Sequence, residues 1–83
     1  MKKGIKMVKE MRVYSSTVGK TYEVEDAVHY RNMFQCTFML SKIDCELLDA
    51  FEDRGKMVMV FPRWMHEKYI REWAERNSGE KNG

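Results

Sequence analysis

Apolar residues occupy nearly every second position between residues 22 and 40, a period typical of β-strands. Polar residues interrupt this pattern at Asp26 and Asn32. A three-residue loop, Arg31-Asn32-Met33, pairs Tyr30 with Phe34 and places the apolar residues on one face. The pattern therefore predicts a β-hairpin over residues 22–40, and a helix over residues 24–34 is the alternative.

Two further strands are predicted on either side of this hairpin. Residues 11–17 are rich in β-branched and aromatic side chains, and Gly19 marks a turn after them. Residues 56–61 are apolar on both faces, which is typical of an interior strand that is covered on two sides.

Helical spacing is found in two other segments. Ser41 is a favourable N-cap with Asp44 three residues later, and apolar residues follow at intervals of four until Arg54-Gly55, so we predict a helix over this stretch. A second helix is predicted from Pro62 to about Arg76. Its apolar stripe contains Met65, Tyr69, Ile70 and Trp73.

The predicted order of elements is β-β-β-α-β-α. It indicates an α+β fold, a small antiparallel or mixed sheet with two helices on one face. We assign residues 11–76 to a single domain, residues 1–10 to a basic, frayed N-terminal segment, and residues 77–83 to a disordered polar tail.

Charge is distributed unevenly in a chain whose formal net charge is only +2. Residues 1–20 carry six bases and one acid, whereas residues 21–53 carry two bases and eight acids. A uniformly basic surface attracts nucleic acid. The separated charges of this chain are weaker evidence for such binding and favour contacts with proteins. The longest apolar run has five residues, 57–61, too few to span a membrane, and no secretion signal is apparent, so we expect a cytoplasmic protein.

The residues that could support catalysis or metal binding form no recognisable motif. His29, Cys36, Cys45 and His66 are possible zinc ligands, but their spacing matches no compact metal site. Cys45 falls in the first turns of a predicted helix, where the dipole can lower a thiol pKa, so it is the thiol to test for reactivity. We predict no enzyme activity, no cofactor and no metal.

The sequence favours a small protein-binding module, for example an accessory protein or regulator of a virus or mobile element, and a homodimer is one form it could take. Eight methionines suit an adaptable binding surface. Trp64 lies off the apolar stripe of its helix, so the predicted partner-binding residues are Arg63, Trp64, Lys68 and Arg71. The alternative is nucleic-acid binding through the C-terminal helix and a basic patch. That patch contains Lys2, Lys3, Lys6, Lys9 and Arg12.

Overall fold

The computed structural model describes residues 11–82, with side chains to Arg76, and it contains five strands and two α-helices. The strands are β1 (Arg12–Ser15), β2 (Lys20–Glu23), β3 (Ala27–Tyr30), β4 (Asp49–Asp53) and β5 (Lys56–Pro62). The helices are α1 (Met33–Leu40) and α2 (Arg63–Asn82), and a 3-10 helix covers Val24–Asp26. The predicted fold class is therefore confirmed, and the element types follow the predicted order with one additional strand before β5.

The strands form two antiparallel sheets. β1 and β2 make a hairpin, and β5 lies between β3 and β4 in a three-stranded sheet. Val58, Val60 and Phe61 of β5 have no exposed surface, which confirms the prediction of an interior strand. The predicted turn at Gly19 is also confirmed, and its φ of 84° explains why glycine is suited to that position.

The three-stranded sheet is covered on both faces. In its register, Val28 is opposite Phe61 and Tyr30 is opposite Met59, so these residues share one face. Both helices pack there, and the core contains Cys36, Phe38, Met39 and Met65. Val60 points to the other face and packs with Tyr22 of the β1–β2 hairpin. The molecule thus has three layers: two helices, a three-stranded sheet and a hairpin.

Residues 34–40 form a helix, so the predicted hairpin over residues 22–40 is wrong, and so is the alternative helix over 24–34. Asn32 is the N-cap of α1: its Oδ1 accepts hydrogen bonds from the backbone N–H groups of Phe34 (2.8 Å) and Gln35 (3.1 Å). Because nearly every residue of α1 is apolar, its sequence fits a period of two as well as a helical period. The Asn32 cap is compatible with the helix, and the packing of its buried side chains on the sheet decides between the two periods.

The predicted helix that starts at Ser41 is also wrong. Ser41 is the C-cap of α1, and residues 43–48 have no regular structure before β4 begins at Asp49. Arg54 (φ 55°) and Gly55 (φ 81°) form a two-residue turn between β4 and β5. A glycine with positive φ ends helices and closes hairpins equally well, so Gly55 alone does not distinguish the two structures.

α2 closely matches its prediction in the part where side chains are described. It begins at Arg63, one residue after the predicted start, because Pro62 still pairs with Ala27 in the sheet. Met65 is buried, and Tyr69, Ile70 and Trp73 are half-buried, as the apolar stripe predicts. The helix continues to Asn82, beyond the predicted end at Arg76. The predicted disorder of residues 77–83 stays a prediction, and residues 1–10 lie outside the described part.

Candidate functional site

α1 is the element with the most unusual surface in the described part of the chain. Its eight residues, MFQCTFML, include no charged side chain, although 34% of the whole chain is charged. Cys36, Phe38 and Met39 are buried against the sheet and α2. The opposite side of α1 is exposed, and it presents Met33, Phe34, Thr37 and Leu40 to solvent. We call these four residues the α1 surface.

The three apolar side chains of the α1 surface expose a large part of their area to solvent. Phe34 exposes 80% of its area, Met33 46% and Leu40 44%, and Ile43, three residues beyond Leu40, is fully exposed at 102%. Single exposed apolar residues are ordinary, but a helix that is apolar on all sides is usually buried on all sides. The α1 surface is therefore a candidate site for contact with another molecule.

A groove of about 720 Å³ adjoins the α1 surface where α1 meets α2. We call it the aromatic groove, because Phe34, Phe38 and Trp73 line it. Its other lining residues are Asn32, Thr37, Ser41 and Arg76. The Phe38 and Trp73 rings lie 5.3 Å apart, which fixes the floor of the groove. Since Phe34 and Thr37 belong to both features, the α1 surface and the groove form one continuous region.

Cations lie over the aromatic rings beside the groove. The Lys42 Nζ is 4.3 Å from the centroid of Phe38 and 2.9 Å from the Glu72 carboxylate. The Arg76 guanidinium carbon is 5.4 Å from the same ring centroid, on the groove side. Both cations gain a favourable interaction with the ring faces, and the Lys42 charge is already balanced by Glu72. The region is therefore aromatic, with a paired lysine beside it and the Arg76 guanidinium at its margin.

The four predicted partner-binding residues have different environments. Arg63 donates two hydrogen bonds to the backbone oxygen of Glu25, at 3.1 and 2.8 Å, and so ties α2 to the 3-10 helix. Lys68 pairs with Asp44 at 2.7 Å. Trp64 (43% exposed) and Arg71 are exposed. Trp64, Lys68 and Arg71 are spaced along one face of α2, whereas Arg63 and Lys68 also hold the fold together.

The basic patch predicted for nucleic acid lies mostly outside the described residues. Lys2, Lys3, Lys6 and Lys9 fall in the undescribed segment, and Arg12 pairs with Glu23 across the β1–β2 hairpin at 3.0 Å. The structure therefore adds no observation that favours this alternative.

The possible metal ligands and nucleophiles are not assembled into a site within residues 11–82. His29 lies on the hairpin face of the sheet against Phe51, whereas Cys36 is in the core on the helix face. The described residues include no group of three or more His, Cys, Asp or Glu side chains arranged to hold a metal ion.

The hydrogen bond between the Tyr30 hydroxyl and His66 Nδ1 (2.7 Å) is the contact that most resembles catalytic machinery. Burial, with a smaller effect from Cys36, raises the pKa of Tyr30 to about 12. At neutral pH the phenol keeps its proton, and its hydrogen bond with His66 joins β3 to α2.

The predicted helix around Cys45, whose dipole could have lowered the pKa of its thiol, is not formed. Cys45 is in the irregular segment after α1, not in a helix, so no helix dipole acts on its thiol. Burial raises the pKa of this thiol, and the adjacent carboxylates of Asp44 and Glu46 raise it further.

Sequence reasoning missed the α1 surface because it assigned these residues to a strand. Two signals were present: the charge-free run of residues 33–40 and an Asn immediately before it.

Comparison of the chain with protein-family models, with curated proteins and with solved structures finds no match. Within residues 11–82, no helix combines the length and apolar character that crossing a membrane requires.

Proposed function

We propose that this chain is a non-enzymatic protein-binding module that acts through the α1 surface and the adjoining aromatic groove. One observation carries the proposal: a surface helix without a charged residue presents three large apolar side chains to solvent. Protein interfaces are distinguished from the rest of a surface by aromatic and Met enrichment and by few charges at their centre. The α1 surface has these properties.

The groove supports the proposal because it can hold a side chain of the partner. Binding energy concentrates where large side chains enter well-packed pockets from which water is excluded. Phe38 and Trp73 provide a rigid aromatic floor, and Arg76 is placed at the margin beside them. The earlier prediction of Arg63, Trp64, Lys68 and Arg71 as contact residues stays a prediction for a second, outward face of α2.

Site-specific photo-crosslinking tests this function in the cells that make the protein. A benzophenone amino acid replaces Phe34 in one form of the chain and Tyr14 in the control form. Both positions are exposed aromatics, at 80% and 65%, but Tyr14 belongs to the hairpin layer. We expect discrete protein adducts from position 34 that position 14 does not give.

Leu40→Lys then shows whether adduct formation depends on the α1 surface. A base near the C-terminus of α1 is compatible with the helix dipole, so the fold should be retained. Replacement of a large apolar contact of the α1 surface by a charge should lower the adduct yield at least about tenfold. Equal adduct patterns from positions 34 and 14, or a yield that Leu40→Lys does not change, would contradict the proposal.

A further inference from the structure

We infer that the occupant of the α1 surface is a second copy of this chain, with the two α1 helices antiparallel across a twofold axis at Thr37. This inference rests on the proposed function, because it names the partner of the same surface. It is argued from the positions of the exposed residues, from the charges at the ends of α1 and from the exposed area.

Two large exposed residues of the α1 surface are placed symmetrically about Thr37. Phe34 precedes it by three positions and Leu40 follows it by three. In a twofold antiparallel pairing, a residue that precedes the crossing point faces the residue that follows it by the same interval. Phe34 of each copy would therefore face Leu40 of the other, and the two Thr37 side chains would meet. A small residue at the crossing lets the helices approach, while the larger side chains fill the space on both sides.

Charge makes a second copy an acceptable partner. A twofold axis brings identical groups together, so a charged surface would repel itself, whereas the α1 surface has no charge. The ions that flank α1 in the sequence are paired within one copy, and the Arg76 guanidinium at the groove margin lies over the Phe38 ring. Arg31 pairs with Asp53 at 3.0 Å before α1, and Lys42 pairs with Glu72 at 2.9 Å after it.

The exposed area is consistent with a small, reversible dimer. Met33, Phe34, Leu40 and Ile43 together expose roughly 400–680 Å² of surface, if each large side chain has an area of roughly 150–250 Å². A standard interface buries about 800 Å² per partner, so the margins of the groove must contribute the remainder. We therefore expect self-association in roughly the micromolar range rather than an obligate dimer.

Sedimentation velocity of the full chain tests the inference, with a reductant present so that Cys45 cannot link two copies. We expect the sedimentation coefficient of the wild type to rise with concentration from monomer to dimer. Thr37→Arg should abolish this rise, because two guanidinium groups would meet at the crossing. Arginine is a better helix former than threonine, so the variant should fold.

Thr21→Arg is the matched control, since it introduces the same side chain at an exposed position of the hairpin layer. It should associate like the wild type. Thr37→Glu alone should also be monomeric, and an equimolar mixture of Thr37→Arg and Thr37→Glu should recover the dimer. That recovery is specific to an interface in which residue 37 faces itself.

A wild-type chain that stays monomeric at all concentrations overturns the inference. So does a Thr37→Arg variant that associates like the wild type, or a mixture of the two charged variants that does not associate. Failure of the two proposals can be distinguished. If the wild type is monomeric but position 34 forms adducts with a different protein, the self-association is wrong and the proposed function stands. If position 34 forms no specific adduct, the proposed function fails as well.

Discussion

Cys45 lies half-buried between Asp44 and Glu46, beside the core cluster that both helices share. Cys36 is buried within that cluster, and its thiol donates a hydrogen bond to the backbone oxygen of Tyr30 at 3.7 Å. Burial raises the pKa of both thiols. The environments of Cys36 and Cys45 therefore favour protonated, poorly nucleophilic thiols.

Alkylation kinetics with iodoacetamide check this conclusion. At pH 7.5 we expect Cys45 to react more slowly than a free thiol and Cys36 to react more slowly still, because less thiolate is present and access is restricted. Both rates should reach that of a free thiol after unfolding in guanidinium, which serves as the control. If mass spectrometry showed Cys45 reacting faster in the folded chain than in the unfolded one, the thiol would be activated and an enzymatic role would have to be reconsidered.

A carboxylate in the irregular segment between α1 and β4 helps to attach this segment to α2. The Asp44 carboxylate accepts hydrogen bonds from Lys68 (2.7 Å) and from the Tyr69 hydroxyl (2.6 Å), both on α2. These donors hold the pKa of Asp44 below its usual value of 3.8, with the hydrogen bond from Lys68 as the largest cause. The segment is therefore attached to α2 in a manner that depends on the ionised carboxylate.

A pH dependence of stability follows from the direction of this shift. A lowered folded-state pKa means that the ionised carboxylate stabilises the fold above pH 3.8, and that this stabilisation disappears as the pH falls through the folded-state pKa. Asp44→Asn should accordingly lower the free energy of unfolding at pH 7, and its difference from the wild type should shrink below pH 3.8. Urea unfolding at several pH values measures both quantities.

Asp26→Asn is the control for this series, because Asp26 is exposed at the end of the 3-10 helix. It should change stability little at any pH in the series. A difference between wild type and Asp44→Asn that persisted unchanged to the lowest pH would contradict the assignment of this interaction.

The three layers of the whole molecule are joined by apolar packing and by one buried polar cluster. Asp49 of β4 is buried, and its two carboxylate oxygens accept hydrogen bonds from Ser15 (2.7 Å) and Tyr22 (3.3 Å) of the β1–β2 hairpin. Thr17 adds a hydrogen bond to the backbone oxygen of Ala50 at 2.7 Å. These hydrogen bonds attach the hairpin layer to β4, while its apolar packing is against Val60 of β5.

Asp49→Ala should therefore destabilise the whole fold. It removes three hydrogen bonds to the carboxylate, from the Ser15 and Tyr22 hydroxyl groups and from the Ala50 N–H group. The two buried hydroxyl groups then lose an acceptor, which should cost about 2–4 kcal/mol. The shift of the urea midpoint at constant slope measures this cost. Asp53→Ala, at the surface ion pair with Arg31, should cost less than about 1 kcal/mol. Equal effects of the two substitutions would contradict the proposed attachment.

The sequence by itself determined the α+β class, the interior position of residues 56–61, the turn at Gly19 and the apolar stripe of α2. The turn depends on local chemistry and the α2 stripe fits the helical period, while Gly55 and Pro62 limit the apolar run between them to the length of a strand. A run of apolar residues on both faces requires cover on two sides, and a stripe at helical spacing requires a core beside it.

Only the tertiary structure decided that residues 33–40 are helical and that residues 49–53 form a strand. The apolar residues of the first segment fit either period, and the second becomes a strand because β5 provides a partner for its backbone. The α1 surface could be identified only from the tertiary structure, because an apolar residue is exposed only where no other element covers it. Cover depends on long-range packing, which a local pattern of residues does not specify.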